Sequence, residues 1–205
     1  MFDNTPVLGR SESALEATNK VLRNTYALLG LTMIPTVVGA FIGLSLNFAF
    51  AQQHPFIFAI GAIAVMYGLF AAINANRNSS LGVVLLLGLT FLLGLMLGPI
   101  LQHALHLSNG TQIVGLAAAG TGIILFSLAS FAAASKKDFS FMSKFLLIGI
   151  VLLIVASLAN IFLQIPAMTL ALSGIGVILF SGFILYDVSR IVNGGETNYI
   201  MATLS

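Results

Sequence analysis

Three long apolar runs, each interrupted once by a polar stretch, organise the chain. The first lies between Arg23 and Arg77, the second between Arg77 and Lys136, and the third between Lys144 and Asp187. Their interruptions are Ala51-Gln-Gln-His-Pro55, Gln102-His-Ala-Leu-His-Leu-Ser-Asn-Gly110 and Gln164-Ile-Pro166. A spanning helix needs about 20 apolar residues, so each run has room for two helices and a turn. The pattern predicts an all-α polytopic membrane protein with six transmembrane helices in three hairpins. The spans fall at roughly 25–47, 56–75, 80–101, 112–134, 145–164 and 168–189. Residues 1–24 form a cytoplasmic N-terminal segment, and 25–205 a single transmembrane helical domain.

Charge tests this topology. With six spans, Arg10, Lys20, Arg23, Arg77, Lys136, Lys137, Lys144 and Arg190 all fall on one side, and the opposite turns carry no Lys or Arg. The positive-inside rule makes that side the cytoplasm and puts the N-terminus there. Composition agrees: 59% of the 205 residues are hydrophobic and 7% charged, where soluble domains carry about a quarter charged residues. The net charge of +2 gives no reason to expect nucleic acid. The absence of cysteine excludes disulfides and thiolate chemistry. Residues 1–20 carry Asp3, Glu12 and Glu16 and have no apolar core, so they do not read as a cleavable signal peptide. Ser13 and Glu16 have capping-box spacing, which predicts a short amphipathic lead-in helix over 11–22.

Small residues four apart, as in Gly39/Gly43 and Gly94/Gly98, permit close helix approach. Ala117-Ala-Ala-Gly-Thr-Gly122 is a further stretch of small residues. These read as packing surfaces. Asn74, Asn76, Thr90, Asn160, Gln164, Tyr67 and Tyr186 lie in or near spans and need partners where water is absent. Asn160 is the deepest amide, and Arg77, Asn160 and Tyr186 are candidates for a polar network. His103 and His106 share a helix face but have no third ligand nearby, so no metal site is expected.

The candidate functional residue is Asp187, an acid at the end of the last apolar run, with Arg190 three residues later. An acid at a bilayer is costly and is by default a functional hypothesis; the alternative is an ion pair with Arg190 on one helix face at the water interface. Catalysis is not expected. An aspartyl protease needs a second carboxylate sharing the proton, and none follows within a span before Ser205. A serine or zinc hydrolase needs a histidine at depth, and all three histidines fall in external turns. No cofactor is expected.

Four blocks give the sequence a further meaning: Lys20-Val-Leu-Arg-Asn-Thr-Tyr26, Lys137-Asp-Phe-Ser-Phe141, Ala159-Asn-Ile-Phe-Leu-Gln-Ile-Pro-Ala167 and Gly194-Gly-Glu-Thr-Asn-Tyr-Ile200. Through them the chain resembles the Bax inhibitor-1 family, in its bacterial inner-membrane branch of modulators of the FtsH protease. The resemblance implies a seven-helix fold whose last helix is surrounded by the other six. This chain stops about where that helix would begin, so by the resemblance the last helix is either truncated here or lost. It also implies two activities. One is restraint of the membrane-anchored, ATP-dependent protease, with residues 1–20 as the accessible handle. The other is a pH-sensitive calcium leak gated by paired aspartates, of which Asp187 matches the first; the second belongs to the seventh helix. A basic residue near the inner end of span two accompanies the leak, and the nearest one here is Arg77, while the register points to Ala75. The implied partners are the lipid bilayer, the membrane-anchored protease and calcium.

Overall fold

The computed structural model describes residues 6–135 and 137–205, with side chains from Glu16 onward except Gln52. The described residues form helices and turns, and none forms a strand. The order is α1 (Pro6–Ser45), α2 (Ala49–Gln53), α3 (Pro55–Ala75), α4 (Ser80–Met96), α5 (Gly98–Leu105), α6 (Gly110–Ser135), α7 (Met142–Leu163), α8 (Pro166–Val192) and α9 (Tyr199–Leu204). Six segments are long and apolar enough to cross a bilayer: Glu16–Ser45, Pro55–Ala75, Ser80–Leu105, Gly110–Ser135, Met142–Leu163 and Pro166–Val192. They coincide with the six expected spans to within a few residues at most ends.

Two differences have simple causes. The expected lead-in helix is not separate, because α1 runs unbroken from Pro6 to Ser45. Nothing between Ser13 and Tyr26 breaks a helix, and Ser13 lies inside α1 rather than at its start; its side chain is outside the described residues. The third span is divided at Leu97, where its N–H is shared between Leu93 O at 3.2 Å and Gly94 O at 3.0 Å, ahead of Pro99. Proline offers no N–H to the turn before it, and the chain tightens there.

Exposure also fits a lipid environment. Phe162, Phe56, Leu170 and Phe41 are 85%, 82%, 77% and 71% exposed. Aqueous proteins rarely leave such continuous apolar surface. The helices must therefore associate without a strong hydrophobic drive, through close packing and hydrogen bonds.

The chain divides into two compact units, Met1–Ala118 with Glu196–Ser205, and Ala119–Gly195. In the first unit, α1 crosses α4 and α5 at glycines. A Cβ on Gly39 would meet Phe91 O, and one on Gly94 would meet Thr36 O. On Gly43 it would lie 2.6 Å from Leu95 O, and on Gly98 2.5 Å from Gly43 O. The obstacles are main-chain atoms, so the small-residue pattern lets two backbones touch. A buried cluster of Leu28, Ile73, Leu86, Leu89 and Ile200 joins α1, α3, α4 and α9. In the second unit, α7 packs on α8. Leu179 fills the space beside Gly149, and Leu146 the space beside Gly182. Gly120 and Gly122 of α6 have nothing within 4 Å of where a Cβ would sit, so no close backbone approach is seen at those two glycines.

Candidate functional site

Asp187 lies in the last two turns of α8, half-buried, with Arg190 the charged group that acts on it. Tyr186 is half-buried beside it, and Arg190 is exposed. A helix end favours a cation in its final turn, so Arg190 suits that position. The residue that organises this end is Ser189, which is 1% exposed. Its hydroxyl accepts the Phe139 N–H at 3.0 Å and donates to Lys137 O at 2.9 Å. Asn193, one turn further, donates to Lys137 O at 3.3 Å, to Ser189 O at 2.9 Å and to Ser189 Oγ at 3.2 Å. The loop between α6 and α7 is thereby clamped to the end of α8.

The loop is shaped for this. Asp138 accepts the Ser140 N–H at 2.8 Å, an Asx turn that reverses the chain before α7. Phe139 lies between Phe131 and Phe141, with ring centroids 6.3 Å and 6.4 Å away. The Ser140 hydrogen bonds hold the Asp138 carboxyl below its ordinary value. A lowered carboxyl contributes to the turn above its unfolded pKa, and that contribution is lost as pH falls through the lowered value. NMR titration of the chain should show the Ser140 amide moving with Asp138 at a pH below the ordinary aspartate midpoint; a midpoint at or above that value would contradict the turn.

Beyond Asn193 the Gly-Gly-Glu-Thr-Asn-Tyr block ends one helix and starts another. Gly195 N–H bonds Arg190 O at 2.8 Å and Gly194 N–H bonds Ile191 O at 3.1 Å. This is a Schellman ending, and Gly194 takes the left-handed φ of 76° that it requires. Asn198 then caps α9, its side-chain oxygen accepting from Ile200 N and Met201 N at 3.0 Å and 3.1 Å. Its amide donates to Arg77 O and Asn78 Oδ1, both at 2.8 Å, which ties α9 to the turn between α3 and α4.

Asn160 sits at the opposite end of the α7–α8 hairpin. It donates to Thr169 Oγ1 at 2.7 Å and accepts from Ile165 N at 3.1 Å, across a turn in which Gln164 holds a positive φ of 51°. Thr169 precedes Tyr186 by 17 positions on one helix, about 25 Å at 1.5 Å per residue. Asn160 and Tyr186 therefore do not share a network. Arg77 belongs to the other unit, where its side chain is exposed and its carbonyl serves Asn198. A cavity of about 1140 Å³ opens between α6, α7 and α8 of the second unit, lined by Ser157, Asn160, Thr169, Ser173 and Ser181 among apolar side chains. The Ser173 and Ser181 hydroxyls donate to the carbonyls one turn back, at 2.9 Å and 2.7 Å. None of its lining residues is titratable.

Among the described residues no group of three or more His, Asp or Glu side chains could hold a metal. His103 is exposed, and His106 contacts Gln102 O through Nδ1 at 2.6 Å. Sequence reasoning missed Ser189, Asn193 and Asn198. The spacing of Tyr186, Ser189 and Asn193 puts them on one helix face, and that was the available signal for the first two.

The model of the family described as "Inhibitor of apoptosis-promoting Bax1" matches residues 18–205. The chain belongs to that family. A Vibrio cholerae relative named only as an uncharacterized membrane protein is 40% identical over 98% of this chain and 89% of its own length. A Neisseria meningitidis relative, also uncharacterized, is 40% identical over 91% of this chain and 83% of its own length. An Escherichia coli relative, named modulator of FtsH protease YccA, is 37% identical over 94% of this chain and 85% of its own length. Three of the blocks by which the sequence resembles the Bax inhibitor family coincide with the polar connections above: Lys137–Phe141, Asn160–Pro166 and Gly194–Ile200.

Proposed function

We propose that the chain is an inner-membrane regulatory protein that restrains a membrane-anchored, ATP-dependent protease. The observation that carries this reading is its 37% identity, over 94% of the chain, to a relative named as a modulator of such a protease. Two structural features support it. Among the described residues the charged ones lie in the N-terminal helix, in the α3–α4 turn at Arg77, in the α6–α7 loop and the first turn of α7 (Lys137, Asp138 and Lys144), and near Asp187–Glu196. Those turns are held by defined hydrogen bonds to neighbouring helices, which suits a surface that must present a fixed shape to a cytoplasmic partner. In this reading the N-terminus, Arg77 and Lys137 face the cytoplasm, residues 1–20 are the handle, and Asp187 with Arg190 lies at the foot of α8 on the same side.

The calcium leak needs a second carboxylate acting on Asp187. The resemblance puts that acid on a seventh helix, none of the relatives above is named for a leak, and the protease reading is preferred.

Overproducing the chain in a bacterium that carries the protease should lengthen the pulse–chase half-life of a membrane-protein substrate, and the chain should co-purify with the tagged protease. Residues 2–20 removed, the association or the chain's own turnover should change. Lysine-directed reagents should reach Lys137 only after the inner membrane is permeabilised. An unchanged substrate half-life together with no co-purification would reject the reading; labelling of Lys137 from outside would reject the orientation.

A further inference from the structure

We propose that the edge of the second unit formed by the α6–α7 loop and the first turn of α7 binds the headgroup of an anionic phospholipid. Lys137 and Lys144 are exposed at this edge. Phe141 and Phe145 stand out beside them, 77% and 69% exposed. Lys136 adds a third cation in sequence. A cation in the first turn of a helix opposes the positive end of the helix dipole. Lys144 occupies that position in α7, whose first turn holds no acid and whose N-cap, Phe141, makes no side-chain cap.

The nearby acids offset only part of this charge, one carboxylate against Lys136, Lys137 and Lys144. Asp138 turns back to accept the Ser140 N–H, and Asp187 interacts with Arg190 on α8. Among the described residues neither Lys137 nor Lys144 is in an ion pair. The edge thus keeps a net positive charge among the described residues and is flanked by aromatic rings.

Its position selects a lipid over a free anion. The loop joins two spanning helices, so it lies where hydrocarbon gives way to headgroups. Phenylalanine rings favour the upper acyl region just below the headgroups, and lysines beside it attract anionic lipid. The Phe rings meet the glycerol and upper acyl region while the ammonium groups meet the phosphate. The site is also held before a lipid arrives, because Ser189 grips Lys137 O and Phe139 N–H. Binding then has less loop ordering to offset.

The test uses the full chain in nanodiscs and native mass spectrometry, comparing retained phosphatidylglycerol with phosphatidylcholine. Each juxtamembrane lysine contributes about fivefold at an anionic surface, so Lys137→Gln with Lys144→Gln should lower the preference about 25-fold. The paired arginine replacements should keep it. Ser189→Ala should weaken it through the loosened loop, and glycerol 3-phosphate or inorganic phosphate in excess should not displace the lipid. An equal preference in wild type and the paired glutamine variant would overturn the proposal. So would displacement by inorganic phosphate, which would mark a free-anion site. Melting in phosphatidylcholine alone checks the fold of each variant; if the glutamine pair unfolds, Lys144→Gln against Lys144→Arg carries the comparison.

Discussion

Gly94→Leu should leave little of the first unit folded. A side chain at this position meets the Thr36 carbonyl and Cα of α1, which are main-chain atoms and cannot rotate away. Overpacking where side chains can yield costs about 1–3 kcal/mol. Here α1 and α4 must separate, so the cost should reach or exceed the top of that range. The separation would also pull Gln102 and Gly98 from the end of α1. Gly88→Leu on the same helix is the matched control, since nothing lies within 4 Å of a Cβ there. The check is the melting temperature of each variant in detergent, read by size-exclusion recovery. Gly94→Leu should melt far below wild type and Gly88→Leu close to it. Equal melting of the two would show that α1 and α4 do not touch at Gly94.

The second large effect is at Asn198. Replacing it with alanine removes the cap on α9 and both bonds to the α3–α4 turn. Loss of an N-cap costs about 0.5–2 kcal/mol, and each further hydrogen bond about 1 kcal/mol. The combined loss should be about 2–4 kcal/mol, which corresponds to an increase of roughly 30-fold or more in the opening equilibrium of α9. Ile200 is 1% exposed in the core cluster, so release of α9 would open that cluster too. Hydrogen exchange of the C-terminal peptide should accelerate accordingly in Asn198→Ala. Asn198→Asp keeps the capping oxygen and loses the donors to Arg77 and Asn78, so it should fall between. Wild-type exchange in Asn198→Ala would show that α9 is held by Ile200 alone.

The six spans were legible because lipid imposes a rule on composition that is independent of partners. A run of apolar residues between charges, broken once by Gln, His, Asn or Pro, has few other readings. The glycine crossing was legible as well, since Gly39/Gly43 and Gly94/Gly98 carry the spacing that close approach needs. The polar clamps were harder. Ser189 looks like any small residue in an apolar helix, and its meaning comes from Lys137 and Phe139, fifty or more positions earlier. Asn198 similarly depends on Arg77 and Asn78, 121 and 120 positions away. Such pairings are fixed by tertiary structure, and a single sequence does not show them. The capping-box spacing at Ser13 misled for the reverse reason. Local chemistry permits a helix start there, but no breaker separates it from the apolar run, and continuing α1 saves forming a second helix nucleus. Arg77, Asn160 and Tyr186 were grouped because each is polar near a span; the fold distributes them to different ends and units.

Gln102 has a consequence for how the protein is made. Its amide is shared among the carbonyls of Gly43, Leu44 and Leu46, at 3.2, 2.9 and 3.0 Å, across at least 56 positions of sequence. Those oxygens lie at and just past the end of α1, where carbonyls lack the usual helical donor; only Gly43 O among them also takes a backbone N–H, from Leu46 at 3.3 Å. During synthesis the first helix enters the bilayer long before Gln102 has emerged from the ribosome. Until the Ser80–Leu105 segment follows, water at the membrane surface must serve those oxygens, so the end of the first helix should lock only when the third helix arrives.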